Sequence, residues 1–440
     1  MDVLSAVLAI TVAIALLFEV ARRVGVPWPS VFVLGGLALG FVPGLPRIEL
    51  EPDLVLLAFL PPLLFSAAVE TPVRDLKTDV WPIARLSIGL VLFTLAAVAL
   101  ATHYLAGLSW PAALALGAIV GPTDAIAATI VFRRIGVPRR VVALIEGESL
   151  FNDATALVAY RTVLIAAAAG TFVLTDAIVG FGFAAVGGIA IGGVVGFLAA
   201  ALIRRLDDPP VEVLLSLVVG FAAYLPAERV GLSGVLAAVT AGLVVGTRIG
   251  TILSPQSRVL WLSTWKMVTF VLNGFLFVLI GLELPSVLAG LDGYSGLQMA
   301  GLVALVGAVA VVSRLAWVFA SSHLPNSTRQ AFQRVDPRLA QRLTFLVGWS
   351  GLRGAVSLAA ALALPKDFPE RNVVLLLTFA VIVVTLVGQG LTLQRVVRWA
   401  GWDGTELDGD ELTTARTAAY QAGLDEIARA RITAAAHLEL

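Results

Sequence analysis

Long apolar runs separated by short charged loops dominate this chain. About 20 apolar residues carry a helix across a hydrocarbon core, and on that measure the pattern predicts thirteen membrane-spanning helices. They cover roughly 3–21, 28–45, 54–70, 81–105, 110–132, 139–168, 175–203, 211–226, 232–247, 258–284, 296–321, 340–364 and 371–398. From Ala400 on the residues are polar and read as a tail. Within it, 410–435 predicts a short amphipathic helix capped by Asp410, with Leu412, Ala419, Leu424, Ile427 and Ile432 as its apolar positions. No basic region precedes Val3 and no small-residue cleavage site follows, so the first run is expected to be a retained span and not a signal peptide.

The loops alternate in charge. One set carries Arg22 and Arg23, Arg74 and Lys77, Arg133, Arg134, Arg139 and Arg140, Arg204 and Arg205, Arg248 and Arg258, Arg329 to Arg342, and Arg395 and Arg398. The opposite set holds Arg47 with Glu49, Glu51 and Asp53, an uncharged turn near Gly107, then Asp176, Glu228 with Arg229, Asp292, and Lys366 to Arg371. Cationic loops stay on the cytoplasmic side. An odd number of spans then puts the N-terminus outside and the C-terminus in the cytoplasm. One missed span would scramble this alternation.

Two spans are broken. Gly121-Pro122 interrupts the fifth and Gly351 with Gly354 the twelfth, and each break carries a charge, Asp124 and Arg353. The breaks lie seven spans apart, and an odd offset makes the matching helices run in opposite directions. This fits inverted six-helix repeats, 1–168 and 211–398, joined by a connector helix at 175–203 and followed by the tail 399–440. Inverted repeats with broken helices near the midplane are the architecture of secondary transporters. The expected fold is therefore an all-α polytopic membrane protein. Asp124 is placed to neutralise the positive ends of half-helices and Arg353 the negative ends.

Composition narrows the chemistry. Of 440 residues, 59% are hydrophobic and 14% charged, far too apolar for a soluble protein of this size. The net charge is zero, so no nucleic-acid partner is implied, and membrane lipid is the expected surrounding. There is no Cys, and His103, His323 and His437 are too scattered for a metal centre. No resident cofactor and no enzyme activity are expected. Only three of the 30 basic residues are Lys, which points to a GC-rich genome and to nothing further; separately, the expected location is the cell membrane of a prokaryote.

The most costly stretch runs Glu146-Gly147-Glu148-Ser149-Leu150-Phe151-Asn152-Asp153, inside the sixth span. A charge at the bilayer centre costs about 2.5–3.5 kcal/mol even on the lenient insertion scale. Ser149 and Asp153 stand four apart and share a helix face, as do Glu148 and Asn152. The Asp153 carboxylate with the Ser149 hydroxyl forms an oxygen cluster suited to a hard cation. Such a carboxylate holds a proton or a metal ion, not both, and that competition is enough to couple two fluxes. Asn152 does not titrate, leaving one proton site. Glu148 is expected to pair with Arg353, read as the only cation deep in an apolar segment of the second half, because an unpaired buried charge is costly.

These residues resemble the sodium/proton exchangers of the NhaP type, within the monovalent cation:proton antiporter superfamily. The pieces that carry the likeness are Pro61-Pro62-Leu63-Leu64-Phe65, Gly121-Pro122-Thr123-Asp124, Gly147 to Ala154, Leu272-Asn273-Gly274 to Gly281, Gly351-Leu352-Arg353-Gly354-Ala355-Val356-Ser357-Leu358 and Gly390-Leu391-Thr392-Leu393. Together they cover roughly 1–398. The resemblance implies the NhaA-like antiporter fold, a homodimer, and a mobile six-helix core that moves past a dimerisation domain. It implies that Asp153 binds cation and proton in turn, with oxygens from Ser149 and from the backbone at Thr123. It implies that Asp124 supports the helix crossing and that Glu148 and Arg353 form a structural pair. Asn152 before the key acid resembles the electroneutral branch, one sodium for one proton.

One departure bears on the ion. Many relatives carry an acid where this chain has Ser66, and Glu70 lies one turn further on. Either Ser66 acts as a neutral ligand or Glu70 takes the acid's place. Sodium or lithium exchange is the first expectation, with potassium/proton exchange and a cation channel as alternatives. Gly231-Leu232-Ser233-Gly234 matches a rhomboid-protease motif, but no His lies within plausible reach. Asp124 and Asp153 lack the flanking residues of intramembrane aspartyl proteases.

Overall fold

A computed structural model describes residues 3–42, 52–71, 79–170, 174–289, 295–324 and 337–401, with the isolated residues 73, 417, 420 and 421. Arg47, Glu49, Glu51, Arg74, Lys77, Asp292, Arg329, Arg334 and the helix expected over 410–435 fall outside that description, apart from the three isolated tail positions.

The described chain is helical throughout. The helices are α1 (Val3–Val24), α2 (Trp28–Gly40), α3 (Pro52–Glu70), α4 (Val80–Ala106), α5 (Trp110–Val120), α6 (Ile126–Ile135), α7 (Arg139–Ala169) and α8 (Leu174–Ile203). There follow α9 (Pro209–Arg229), α10 (Gly234–Gly246), α11 (Ile249–Ile252), α12 (Pro255–Ala289), α13 (Gly296–Ser322), α14 (Pro337–Trp349), α15 (Ala355–Leu362) and α16 (Arg371–Trp399). Each of the thirteen expected spans coincides with one helix or with an interrupted pair. Among the described residues, seven of these helices are long and apolar enough to cross a membrane.

The helices pack as two bundles. One gathers α1, α2, α3 and α8 to α12; the other gathers α4 to α7 and α13 to α16. The first has its own aromatic centre, in which Phe65, Trp261 and Trp265 are buried and the Trp265 indole donates to Ser216 Oγ at 3.0 Å. At the boundary, α7 meets α8 and α10, and α15 meets α3 and α12. Glu228 of α9 ties this boundary: it pairs with Arg161 of α7 and accepts the Gly234 N–H at the start of α10. The interruptions are where Gly and Pro placed them. Pro122 has no N–H to continue the ladder of α5, and α5 stops at Val120. Residues 350–354 separate α14 from α15.

Two wide turns of π-helix, Arg85–Gly89 in α4 and Val384–Gln389 in α16, loosen otherwise continuous helices. The second supports the crossing. Thr385 Oγ1 accepts the Arg353 N–H at 3.1 Å, and the Leu386 carbonyl accepts the Ser30 hydroxyl at 2.7 Å. π-turns free backbone groups that other donors must satisfy.

Candidate functional site

The two interruptions cross and exchange bonds. Asp124 N–H, which a continuous helix would spend on Val120, donates instead to the Leu352 carbonyl at 2.7 Å. The Val120 carbonyl thus freed accepts Arg353 Nε at 3.1 Å. The same guanidinium donates to the Gly351 carbonyl at 2.6 Å and the Ala310 carbonyl at 3.3 Å. On the far side of the crossing, Asp124 Oδ1 accepts the Ile126 N–H at 2.7 Å, at the start of α6. An acid therefore faces a half-helix N-terminus and a cation a half-helix C-terminus, as their charges require. In hydrocarbon each orphaned backbone group would cost several kcal/mol.

Arg314 of α13 does for α14 what Arg353 does for α5. Its Nε donates to the Gly348 carbonyl and its Nη2 to the Val347 carbonyl, both at 3.1 Å. The same guanidinium pairs with Glu148 of α7 through both terminal nitrogens, with Nη2 to Oε2 at 2.9 Å. Glu148 and Arg314 are each 1% exposed. Thr123 joins them, donating its hydroxyl to Glu148 Oε1 at 3.0 Å. Asn152 Nδ2 then donates to the Thr123 carbonyl at 3.1 Å and to its hydroxyl oxygen at 3.0 Å.

The expected Glu148–Arg353 pair is therefore not the one that forms. Arg353 is held by three carbonyls and Glu148 by Arg314. Arg353 was not the sole buried cation of the second half. Arg314 stands alone in the apolar run 296–321, and the cost that singled out Arg353 applies equally to it.

Beside this network lies a cavity of about 780 Å³ between the two bundles. Asp153, Ser149, Thr123 and Asp124 line it from the bundle that contains the crossing, and Ser66 and Glu70 of α3 from the other. Six of the seven expected ion-site residues thus share one wall-to-wall space. Asn152 does not line it; it is buried behind Thr123, and its Oδ1 has no donor. Among the described residues no donor reaches the Asp153 carboxylate, whereas Ser149 Oγ accepts the Ala125 N–H at 3.2 Å. Arg133, Glu146 and Lys266 also line the cavity. Arg133, 65% exposed and paired with Glu146 at 2.7 Å, marks where it approaches the surface.

Among the described residues, then, an aspartate without a protein donor lines a cavity beside two broken helices, and broken helices of this kind occur in secondary transporters. Residues 7–399 match the family described as sodium/hydrogen exchanger, transmembrane. This chain belongs to that family. The exchanger is 36% identical over 433 residues to an uncharacterised Na(+)/H(+) exchanger of Mycobacterium tuberculosis, with 96% of this chain and 79% of the relative covered. It is 35% identical over 405 residues to the Na(+)/H(+) antiporter ApNhaP of Aphanothece halophytica, with 90% and 74% covered. With the sodium, potassium, lithium and rubidium/H(+) antiporter of Bacillus subtilis it shares 33% over 409 residues, with 88% and 60% covered. Its fold is similar to that of the sodium proton antiporter MjNhaP1 from Methanocaldococcus jannaschii, with a TM-score of 0.69 at 20% identity over 93% of this chain and 100% of the other. The NhaP-type resemblance seen in the motifs is thus shown for the whole membrane part of the exchanger.

Proposed function

We propose that this cation/proton antiporter exchanges sodium or lithium for protons, one for one, by alternating access, with cation and proton competing for Asp153. The observation that carries the reading is the Asp153 carboxylate, which lines a cavity between two bundles and has no protein donor among the described residues. Ser149 and the oxygens of Thr123 stand on the same wall. Asn152 carries an amide and gives its N–H groups to Thr123, so it adds no second titrating site. One acid then carries either one proton or one monovalent ion, which makes the exchange electroneutral. Movement of one bundle past the other would present the site to each side in turn. The further expectations follow the same reading: thirteen spans in inverted repeats, the N-terminus outside and the C-terminus in the cytoplasm, and a homodimer in the cell membrane.

Potassium/proton exchange is the second reading. It is favoured by Ser66, a neutral oxygen on the cavity wall where the family resemblance leads one to expect an acid, and by the range of ions in the name of the Bacillus subtilis relative.

Sealed proteoliposomes loaded with a pH-sensitive dye test both. Sodium-, lithium- or potassium-driven proton movement is measured with the membrane potential clamped and unclamped. Voltage-insensitive exchange driven by sodium or lithium is expected, and it should vanish in Asp153→Asn while the protein keeps its melting temperature. Exchange that survives in Asp153→Asn removes Asp153 from the mechanism. A clear preference for potassium selects the second reading.

A further inference from the structure

Two hydroxyls on the cavity wall depart from the usual pattern of the interior, as Thr378 does away from it. A buried Ser or Thr in these helices usually returns its hydroxyl to a carbonyl one turn back: Ser87 to Ile83, Thr102 to Val98, Ser350 to Val347 and Thr385 to Val381. Such back-bonding is the default where no water competes. Ser66 and Ser357 are just as buried, at 1% and 2% exposure, and both line the cavity. Among the described residues neither hydroxyl has a protein partner. Neither is sealed off from the cavity, so each oxygen is available to what the cavity holds.

Their placement gives a reason for leaving them unspent. Ser357 sits in the first turn of α15, and the carbonyl four residues back belongs to Arg353, inside the break. One turn earlier Gly354 lies against the Asp124 carboxylate. Gly354 is the extended residue just before α15, so the first turn, which carries Ser357, begins at the Asp124 carboxylate. That helix belongs to the bundle of Asp153 yet also packs on α3, which carries Ser66. Two neutral oxygens thus enter one cavity from opposite sides of the bundle boundary.

We propose that Ser357 is a further oxygen ligand of the transported cation, closing with Ser66 the shell that Asp153 and Ser149 begin. This rests on the reading of Asp153 given above. Hard cations take several oxygen ligands, and hydroxyls supply them without adding charge. A neutral ligand also adds no proton site, so the one-for-one exchange is preserved.

The test uses the full chain in proteoliposomes, with exchange rates measured against sodium and lithium concentration. Losing one neutral ligand in Ser357→Ala should raise the KM for sodium about tenfold, with the maximal rate within about twofold of the parent. Ser357→Thr, which keeps the oxygen, should restore the parent KM. The melting temperature of Ser357→Ala should not fall, because the hydroxyl removed holds no protein group. Should Ser357→Ala not fold, Ser357→Cys keeps the shape with a soft sulfur that suits these ions poorly, and it must show the same rise. A parent-like KM in the Ala or Cys variant overturns the proposal. Exchange retained in Asp153→Asn overturns the underlying reading instead; a raised KM in Ser357→Ala would then still place Ser357 on the ion's path.

Discussion

The Arg314 guanidinium closes on the Glu148 carboxylate where each side chain is only 1% exposed, joining α13 to α7. The pair is a fastening of the helix that carries Asp153, and it stands behind the cavity wall.

Removing one partner leaves an uncompensated buried charge, which costs about 3–5 kcal/mol. Glu148→Ala and Arg314→Ala should each lower the melting temperature in detergent sharply. The double replacement Glu148→Gln with Arg314→Met should lose less than the two single losses combined, since neither charge is stranded. A parent-like melting curve for Glu148→Ala would sink this account.

Arg353 should behave differently, because its partners are carbonyls. Arg353→Ala abandons the carbonyls of Val120, Gly351 and Ala310, at about 1–3 kcal/mol for each group left unsatisfied. Arg353→Lys should recover only part of the loss, since one ammonium cannot reproduce the fork of a guanidinium. Thermal melting reads the loss, and the sodium KM of the Lys variant should stay near that of the parent. A large change in KM without a change in stability would move Arg353 into the ion site.

Gly354 makes the crossing possible. A Cβ at this position would overlap the Asp124 carboxylate, which is itself held by the start of α6. Gly354→Ala forces backbone or carboxylate to shift, at about 1–3 kcal/mol for overpacking. The expected result is a lower melting temperature together with slower exchange. Normal values for both would show that the crossing is looser than the structure has it.

Competition at Asp153 fixes the sign of the pH dependence. A carboxylate must be deprotonated to hold a cation. Lowering the pH fills Asp153 with protons, so the sodium KM should rise as pH falls, by up to about tenfold per unit once the protonated form dominates. At high pH the site lacks protons to carry back and the rate should fall, giving a bell-shaped profile. A sodium KM that does not move between acid and alkaline media would separate the proton site from the cation site.

Much of this was legible in the chain. Each expected span falls on a helix because the bilayer demands continuous apolar runs, and Gly121-Pro122 and Gly351 to Gly354 break helices for reasons local to their backbones. Asp153 and Ser149 were placed on one face by spacing alone. The partner of Glu148 was not. Two arginines, Arg314 and Arg353, lie in apolar segments of the second half, and spacing along the chain does not rank them. The breaks also create carbonyl acceptors that compete for a guanidinium, and this competition took Arg353 away from Glu148. Asn152 likewise shares a helix face with Glu148, yet the side of α7 that meets the cavity is set by neighbouring helices.

Hydrophobic length, helix-breaking residues and the cost of charge in hydrocarbon are properties of short segments, so the sequence by itself determined the helical membrane architecture, the two interruptions and the candidacy of Asp153. Which buried charges meet, which hydroxyls are left unspent and where the cavity runs depend on contacts between helices hundreds of residues apart. Those were decided only when α5 and α14 crossed and their freed carbonyls chose among the donors within reach.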